Sequence, residues 1–260
     1  MSQRTRMAGQ VAVVTGAGTG LGAAVTRLFA WEGADVVAVG RRPEKLQEVA
    51  EELAAEGAPG RVAVVAGDVA VESTAAVACQ RAEEEFGGLD IVVNNAGIHS
   101  RPFLVHETPV SDFEQFLAID LLGPFLFTRA AVSCLLRRGG GAIVNVSSMV
   151  ALVGFKYSAA YSSAKCGLIS LTRATAADYG DAGIRANCLC PGGMEPVERG
   201  NLSPADYTRL HEAVAAAGGT LVKRIAHVDE VAELVLFLSG GQSKSLTGAV
   251  IPFDAGFTAH

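Results

Sequence analysis

Tyr161 and Lys165 are the residues whose types and spacing most directly suggest chemistry in this chain. If the segment from about Ala159 to Tyr179 is helical, positions four apart share a face, so the phenol and the ammonium lie side by side. A tyrosine hydroxyl ordinarily ionises near pH ~10. A fixed neighbouring ammonium favours the phenolate and pulls that value toward neutrality. A phenol tuned in this way can pass a proton to or from an alcohol or carbonyl oxygen. Ser148, at the end of a strand-like run upstream, could hydrogen-bond the same oxygen. Tyr and Lys four apart also occur in many helices by chance, so the pair gains weight only from the elements around it.

Those elements alternate between strand-like and helical. Gln10 to Thr15 is a short β-branched run that ends at Gly16-Ala17-Gly18-Thr19-Gly20-Leu21-Gly22, and a helical stripe of Leu21, Val25, Leu28 and Phe29 follows. Strand, glycine turn and helix are what a nucleotide-phosphate site requires. Glycines allow close backbone approach, and a helix N-terminus offers amides and a positive dipole end. The second strand, Asp35 to Val39, ends at Gly40-Arg41-Arg42. An NAD site usually places a carboxylate there for the ribose 2′-hydroxyl. Here Gly40 takes that place and Arg41 follows, which suits a 2′-phosphate and therefore NADP, with NAD as the alternative. The alternative is that Arg41 and Arg42 are simply a solvated start to the next helix.

A third strand, Arg61 to Ala66, leads to Gly67-Asp68-Val69. Asp68 is placed either to contact an adenine ring or to cap the helix that starts near Val71. A helix over roughly Glu72 to Phe86 precedes the strand Leu89 to Val93, which runs into Asn94-Asn95-Ala96-Gly97. Such a sequence makes ordinary turns, yet in a parallel sheet it occupies the edge where ligands sit.

Composition excludes several functions. Net charge is −6 over 260 residues, which offers no general basic surface, so no nucleic-acid partner is expected. The five cysteines show no disulfide framework and no CxxC spacing, which fits a reducing, cytoplasmic setting. Cys166 beside Lys165 is either a reactive thiol or a small buried helix residue. The five histidines show no ligand spacing, so no metal is expected. No apolar run in the sequence suggests a membrane span, and residues 1–8 read as a flexible tail.

Taken in order, Thr15 to Gly22, Asp68-Val69, Asn94 to Gly97, Ser148, Tyr161 with Lys165, Asn187 and Pro191-Gly192 resemble the short-chain dehydrogenase/reductase family. The resemblance runs from about Gly9 to Phe257. It implies an α/β fold, a Rossmann-like doubly wound, mostly parallel seven-stranded sheet with helices on both faces, as one domain over residues 1–260. It implies NADP or NAD as cofactor and a small-molecule carbonyl or alcohol substrate. A homotetramer, or less often a dimer, is the family's usual assembly. Tyr161 would be the general acid/base. Lys165 would lower its pKa and bond the nicotinamide ribose, and Ser148 would orient the substrate oxygen. Gly16, Thr19, Gly20, Leu21, Gly22, Arg41, Asp68, Val69, Asn95, Ala96, Gly97, Pro191 and Gly192 would contact the cofactor. Residues 193–219 resemble the variable substrate lid, with a helix from about Ser203 to Ala217. Its Met194, Leu202, Tyr207 and Leu210 would line a pocket or form a packing stripe.

Two departures from the family pattern stand out. Asp120 occupies the place where the family usually has asparagine, and its carboxylate, if turned toward Lys165, would favour the ammonium form. Asp120 is therefore a candidate catalytic residue. Pro196 replaces a threonine that would bond the nicotinamide carboxamide. These departures leave open a cofactor-binding sensor or interaction protein without turnover. His99, Arg101 and His106 are expected near the pocket, where Arg101 would attract an anionic substrate or merely be solvated.

Overall fold

The computed structural model describes residues 5–99, 101–195 and 202–259. Runs of β-branched residues form strands wherever both faces of the sheet can be buried. β1 (Val11–Thr15) is buried at every position, and alternate residues feed two different cores. Ala12 and Val14 join one core, while Val11 and Val13 join the other. β2 (Asp35–Gly40), β3 (Val62–Ala66), β4 (Ile91–Asn94), β5 (Gly141–Val146) and β6 (Ile184–Pro191) follow. They are separated by α1 (Gly20–Trp31), α2 (Pro43–Glu56), α3 (Glu72–Phe86), α4 (Val110–Leu117), α5 (Gly123–Arg137) and α6 (Ala159–Tyr179). Then come β7 (Met194–Glu195), α7 (Pro204–Ala216), β8 (Ala226–His227), α8 (Val228–Ser239) and β9 (Val250–Phe253).

The main sheet has seven strands in the order β3-β2-β1-β4-β5-β6-β9, and every pairing is parallel. Residues of α1 and α8 pack in one core, with α2 against α1, and residues of α3 and α5 pack in the other. This is the doubly wound α/β fold with helices on both faces. The chain winds from β1 outward through β2 to β3, then crosses back to β4 on the other side of β1, so a crevice opens at the carboxyl ends of β1 and β4.

Three features differ from the sequence reading. Residues 5–8 of the expected flexible tail are tied down: Met7 is buried, and Arg6 pairs with Glu32 and Glu233. Residues 1–4 lie outside the described residues. A second, two-stranded parallel sheet pairs β7 with β8, so Met194 and Ala226 lie side by side at the base of the segment between them. Finally, α4 and α5 form one continuous helix through a π-helical stretch at Ala118–Leu122. That helix, Val110–Arg137, is long and apolar enough by composition to span a membrane, yet 56% of its most apolar window is buried within the molecule, as in a core helix.

Candidate active site

The carboxyl ends of β1, β2, β4, β5 and β6 open into one cleft of about 900 Å³. Its first half is built by backbone. β1 ends at Thr15, whose hydroxyl donates to the Val93 carbonyl and accepts from the amides of Asn95 and Ala96, both at 3.0 Å. The Asn95 side-chain amide returns a bond to the Thr15 carbonyl at 2.9 Å. The turn after β1 is thereby locked to the turn after β4.

Gly16 has φ +68°, and a Cβ there would lie 2.8 Å from the Asn95 amide. Only glycine fits. Gly22 does not face the cleft as expected: a Cβ there would sit 2.1 Å from the Gly16 carbonyl oxygen, so this glycine lets α1 close onto the loop. Gly16, Thr19, Gly20, Leu21, Arg41, Asp68, Val69, Asn95, Ala96, Gly97, Pro191 and Gly192 all line the cleft. Asp68 also accepts from the Ala70 amide at 2.9 Å, a turn-capping bond just before α3. Arg42, weighed in the sequence only as a helix start, lines the cleft beside Arg41, and its guanidinium donates to the Thr19 hydroxyl at 3.3 Å.

The second half is built around α6. A buried polar ladder holds this helix against the sheet. Asn94 donates to Asn145 and Asn145 to the Thr172 hydroxyl, both at 2.8 Å, while Ser147 donates to the Lys165 carbonyl at 2.8 Å. Buried side chains bonded in this way fix one register of helix on sheet, although the Asn94 side-chain oxygen has no partner among the described residues. Ser148, Tyr161 and Lys165 consequently face the same cleft as the glycine loop. The Tyr161 ring packs edge-on against Phe116, 5.8 Å between centroids, and the Lys165 ammonium lies 5.7 Å from the Tyr161 ring centre.

Lys165 donates to the Val146 carbonyl at 2.9 Å and pairs with Asp120 at 3.0 Å. The two side chains are 4% and 0% exposed. Asp120, a candidate catalytic residue in the sequence, is not on the cleft wall but lies behind Lys165. Burial pushes its carboxyl above the ordinary range against the pull of Lys165. Burial lowers the Lys165 ammonium, but the charges of Asp120 and Tyr161 outweigh it and hold that ammonium above its usual value. Tyr161 moves opposite to the sequence expectation. Burial raises its phenol, Lys165 lowers it, and Asp120 raises it again, for a net upward shift.

Around this group, Gln115, Phe116 and Ile119 of the long helix line the cleft, as do His99, Met194, Leu202, Tyr207, Leu210 and Ile225. Gln115 and Ile119 were missed in the sequence; Ile119 lies in the π-helical stretch, which shifts which side chains face inward. For Gln115 the signal would have been the amphipathic Val110–Leu117 segment. Arg101 lines the cleft and lies 3.6 Å from Asp112, which is also on its wall. His106 is not on it. Pro196 lies outside the described residues. Cys166 is exposed, not a buried helix residue. Among the described residues no cluster of three or more His, Cys, Asp or Glu could hold a metal ion.

Comparison with known proteins places this geometry. A family profile described as short chain dehydrogenase matches residues 10–206. The chain is 40% identical over 251 residues to cis-4-hydroxycyclohexanecarboxylate dehydrogenase of Sinomonas cyclohexanicum, covering 96% of this chain and 97% of that protein. It is 36% identical over 253 residues to 2-(R)-hydroxypropyl-CoM dehydrogenase of Xanthobacter autotrophicus, covering 96% and 99%. A solved structure from Agrobacterium tumefaciens, provisionally described as a gluconate dehydrogenase, superposes with a TM-score of 0.88 at 32% identity, covering 99% of each chain.

Proposed function

The chain belongs to the short-chain dehydrogenase family, and on that footing we propose that it uses NADP(H) in preference to NAD(H), with Tyr161 as general acid and base. It is an oxidoreductase acting on alcohol and ketone groups, and the substrate we assign is a secondary alcohol or its ketone. The observation that carries the reading is one cleft with a glycine cradle at one end and Ser148, Tyr161 and Lys165 at the other.

The residues present fit a dinucleotide. Gly16 leaves no room for a side chain beside Asn95, which keeps the loop backbone open to a pyrophosphate. β2 ends at Gly40 with no carboxylate, and Arg41, Arg42 and Lys45 line the same end of the cleft. Guanidinium groups there suit a 2′-phosphate. When bound, the nicotinamide supplies or accepts the hydride. Tyr161 gives its phenolic proton to the carbonyl oxygen during reduction and takes it back during oxidation. Ser148 donates a hydrogen bond to that oxygen, and Lys165 holds the ribose and the electrostatics of the phenol. Residues 193–219 act as the lid, with Val214 of α7 packed in the cluster of Met149, Val150 and Tyr161 beneath it. From family resemblance we assign a homotetramer or a dimer. Five unpaired cysteines accord with a cytoplasmic location.

Turnover of a panel of ketones and alcohols with NADPH and NADH side by side tests cofactor and substrate class together. Tyr161→Phe is expected to lose at least ~10²–10⁴ in turnover while still binding nucleotide. Near wild-type turnover would remove the assignment.

A further inference from the structure

Asp120 carries an observation that the reaction as described above does not use. Its side chain is fully buried, its ion-pair partner is Lys165 at 3.0 Å, and the Ile98 backbone amide lies close enough to hydrogen-bond it. The site leaves no slack: a Cβ on Gly97 would lie 2.6 Å from Asp120 Oδ1 and 3.4 Å from Lys165 Nζ. The charged groups around the pair are few. His99 faces Asp120 from the loop after β4, Tyr161 lies on α6 with Lys165, and Cys188 and Cys190 of β6 lie close enough to Lys165 to interact with it.

A lone ammonium beside a phenol favours the phenolate. An ammonium beside a buried carboxylate does not act alone. Whether the shared proton sits on nitrogen or on oxygen, the pair carries no net charge. Tyr161 then has desolvation against its ionised form, and the pull of Lys165 that would compensate it is opposed by Asp120. We propose that Asp120 is a positioning residue that cancels the charge of Lys165, so that Tyr161 keeps its proton into alkaline solution and works first as a proton donor. Carbonyl reduction is then supported across neutral pH, whereas alcohol oxidation, which needs the deprotonated phenol, gains rate only on the alkaline side. The upward direction of the Tyr161 phenol agrees with this arrangement.

The inference rests on Tyr161 being the acid/base, and Tyr161→Phe tests that premise separately. The test proper is Asp120→Asn, with Asp120→Ser as a second charge-removing variant should the first not fold; circular dichroism and thermal melting establish folding. Two quantities are read. One is the pH profile of kcat/KM for alcohol oxidation. The other is the titration of Tyr161 in protein without nucleotide, followed by 13Cζ-tyrosine NMR. The chain has four tyrosines, and the signal lost in Tyr161→Phe identifies the relevant one. Removal of the carboxylate leaves Lys165 uncompensated, so the apparent titration of the Tyr161–Lys165 pair is expected to fall by about one pH unit or more. The alkaline limb of the oxidation profile should move with it. Profile and tyrosine signal both unmoved, or displaced upward, in a folded variant would overturn the proposal even if Tyr161→Phe is inactive. A merely structural Asp120 would lower stability without moving either pH.

Discussion

The two halves of the cleft are made in different ways. At the glycine-loop end the chain has no freedom: β1 is buried throughout, Thr15 and Asn95 cross-link two turns, and Gly16 and Gly22 sit where any side chain would strike backbone or amide. At the lid end the packing is sparse. Ala213 is the one buried residue of α7, and Leu221, Val222 and Ile225 are exposed. What holds the lid end is its base, where β7 and β8 pair and Arg224 bonds Glu230 at the start of α8. One region is dictated by backbone geometry; the other is a set of side chains on a clamped loop, with room to differ.

That contrast can be broken or sharpened by substitution. The largest effect is expected from Gly22→Ala. Its Cβ would meet a backbone carbonyl that cannot step aside, so stability should fall by about 1–3 kcal/mol or more, together with nucleotide affinity. Urea denaturation and nucleotide titration measure both, and an unchanged midpoint would show that the loop yields. Next comes Arg41→Ala with Arg42→Ala. Loss of charge-assisted bonds of roughly 1.5–3 kcal/mol should weaken NADPH binding about ten- to a hundredfold, with much less change for NADH. Equal losses for both nucleotides would refute a 2′-phosphate role. The smallest effect is expected at the lid. At Gly193 an added Cβ would meet, among the described residues, only Ile225, 3.9 Å away, so Gly193→Ala should stay within about ±0.5 kcal/mol by the same denaturation assay. A cost matching that of Gly22→Ala would erase the distinction.

Much of the site was legible because local rules determine it. A β-branched run, a glycine turn and a helical stripe can follow one another in few ways, and a Tyr and a Lys four apart on a helix share a face whatever surrounds them. Less legible were features that depend on contacts across the chain. Arg42 reached Thr19 only through the approach of α2 to the glycine loop. Met7 entered the core, taking residues 5–8 out of the expected tail, because its turn packs beneath the α1–β2 connection, where its amide bonds the Glu32 carbonyl.

The sequence by itself determined the order of strands and helices, the glycine cradle and the proximity of Tyr161 to Lys165, since each follows from spacing within one element or one turn. Only the tertiary structure decided the electrostatics of that pair. Asp120 lies forty-five residues before Lys165, on a helix whose π-helical stretch turns its carboxylate inward to the ammonium. Burial and that third charge reverse the direction in which the phenol shifts. A pKa depends on every charge and every cubic ångström of water excluded around the group, and the linear chain does not record these.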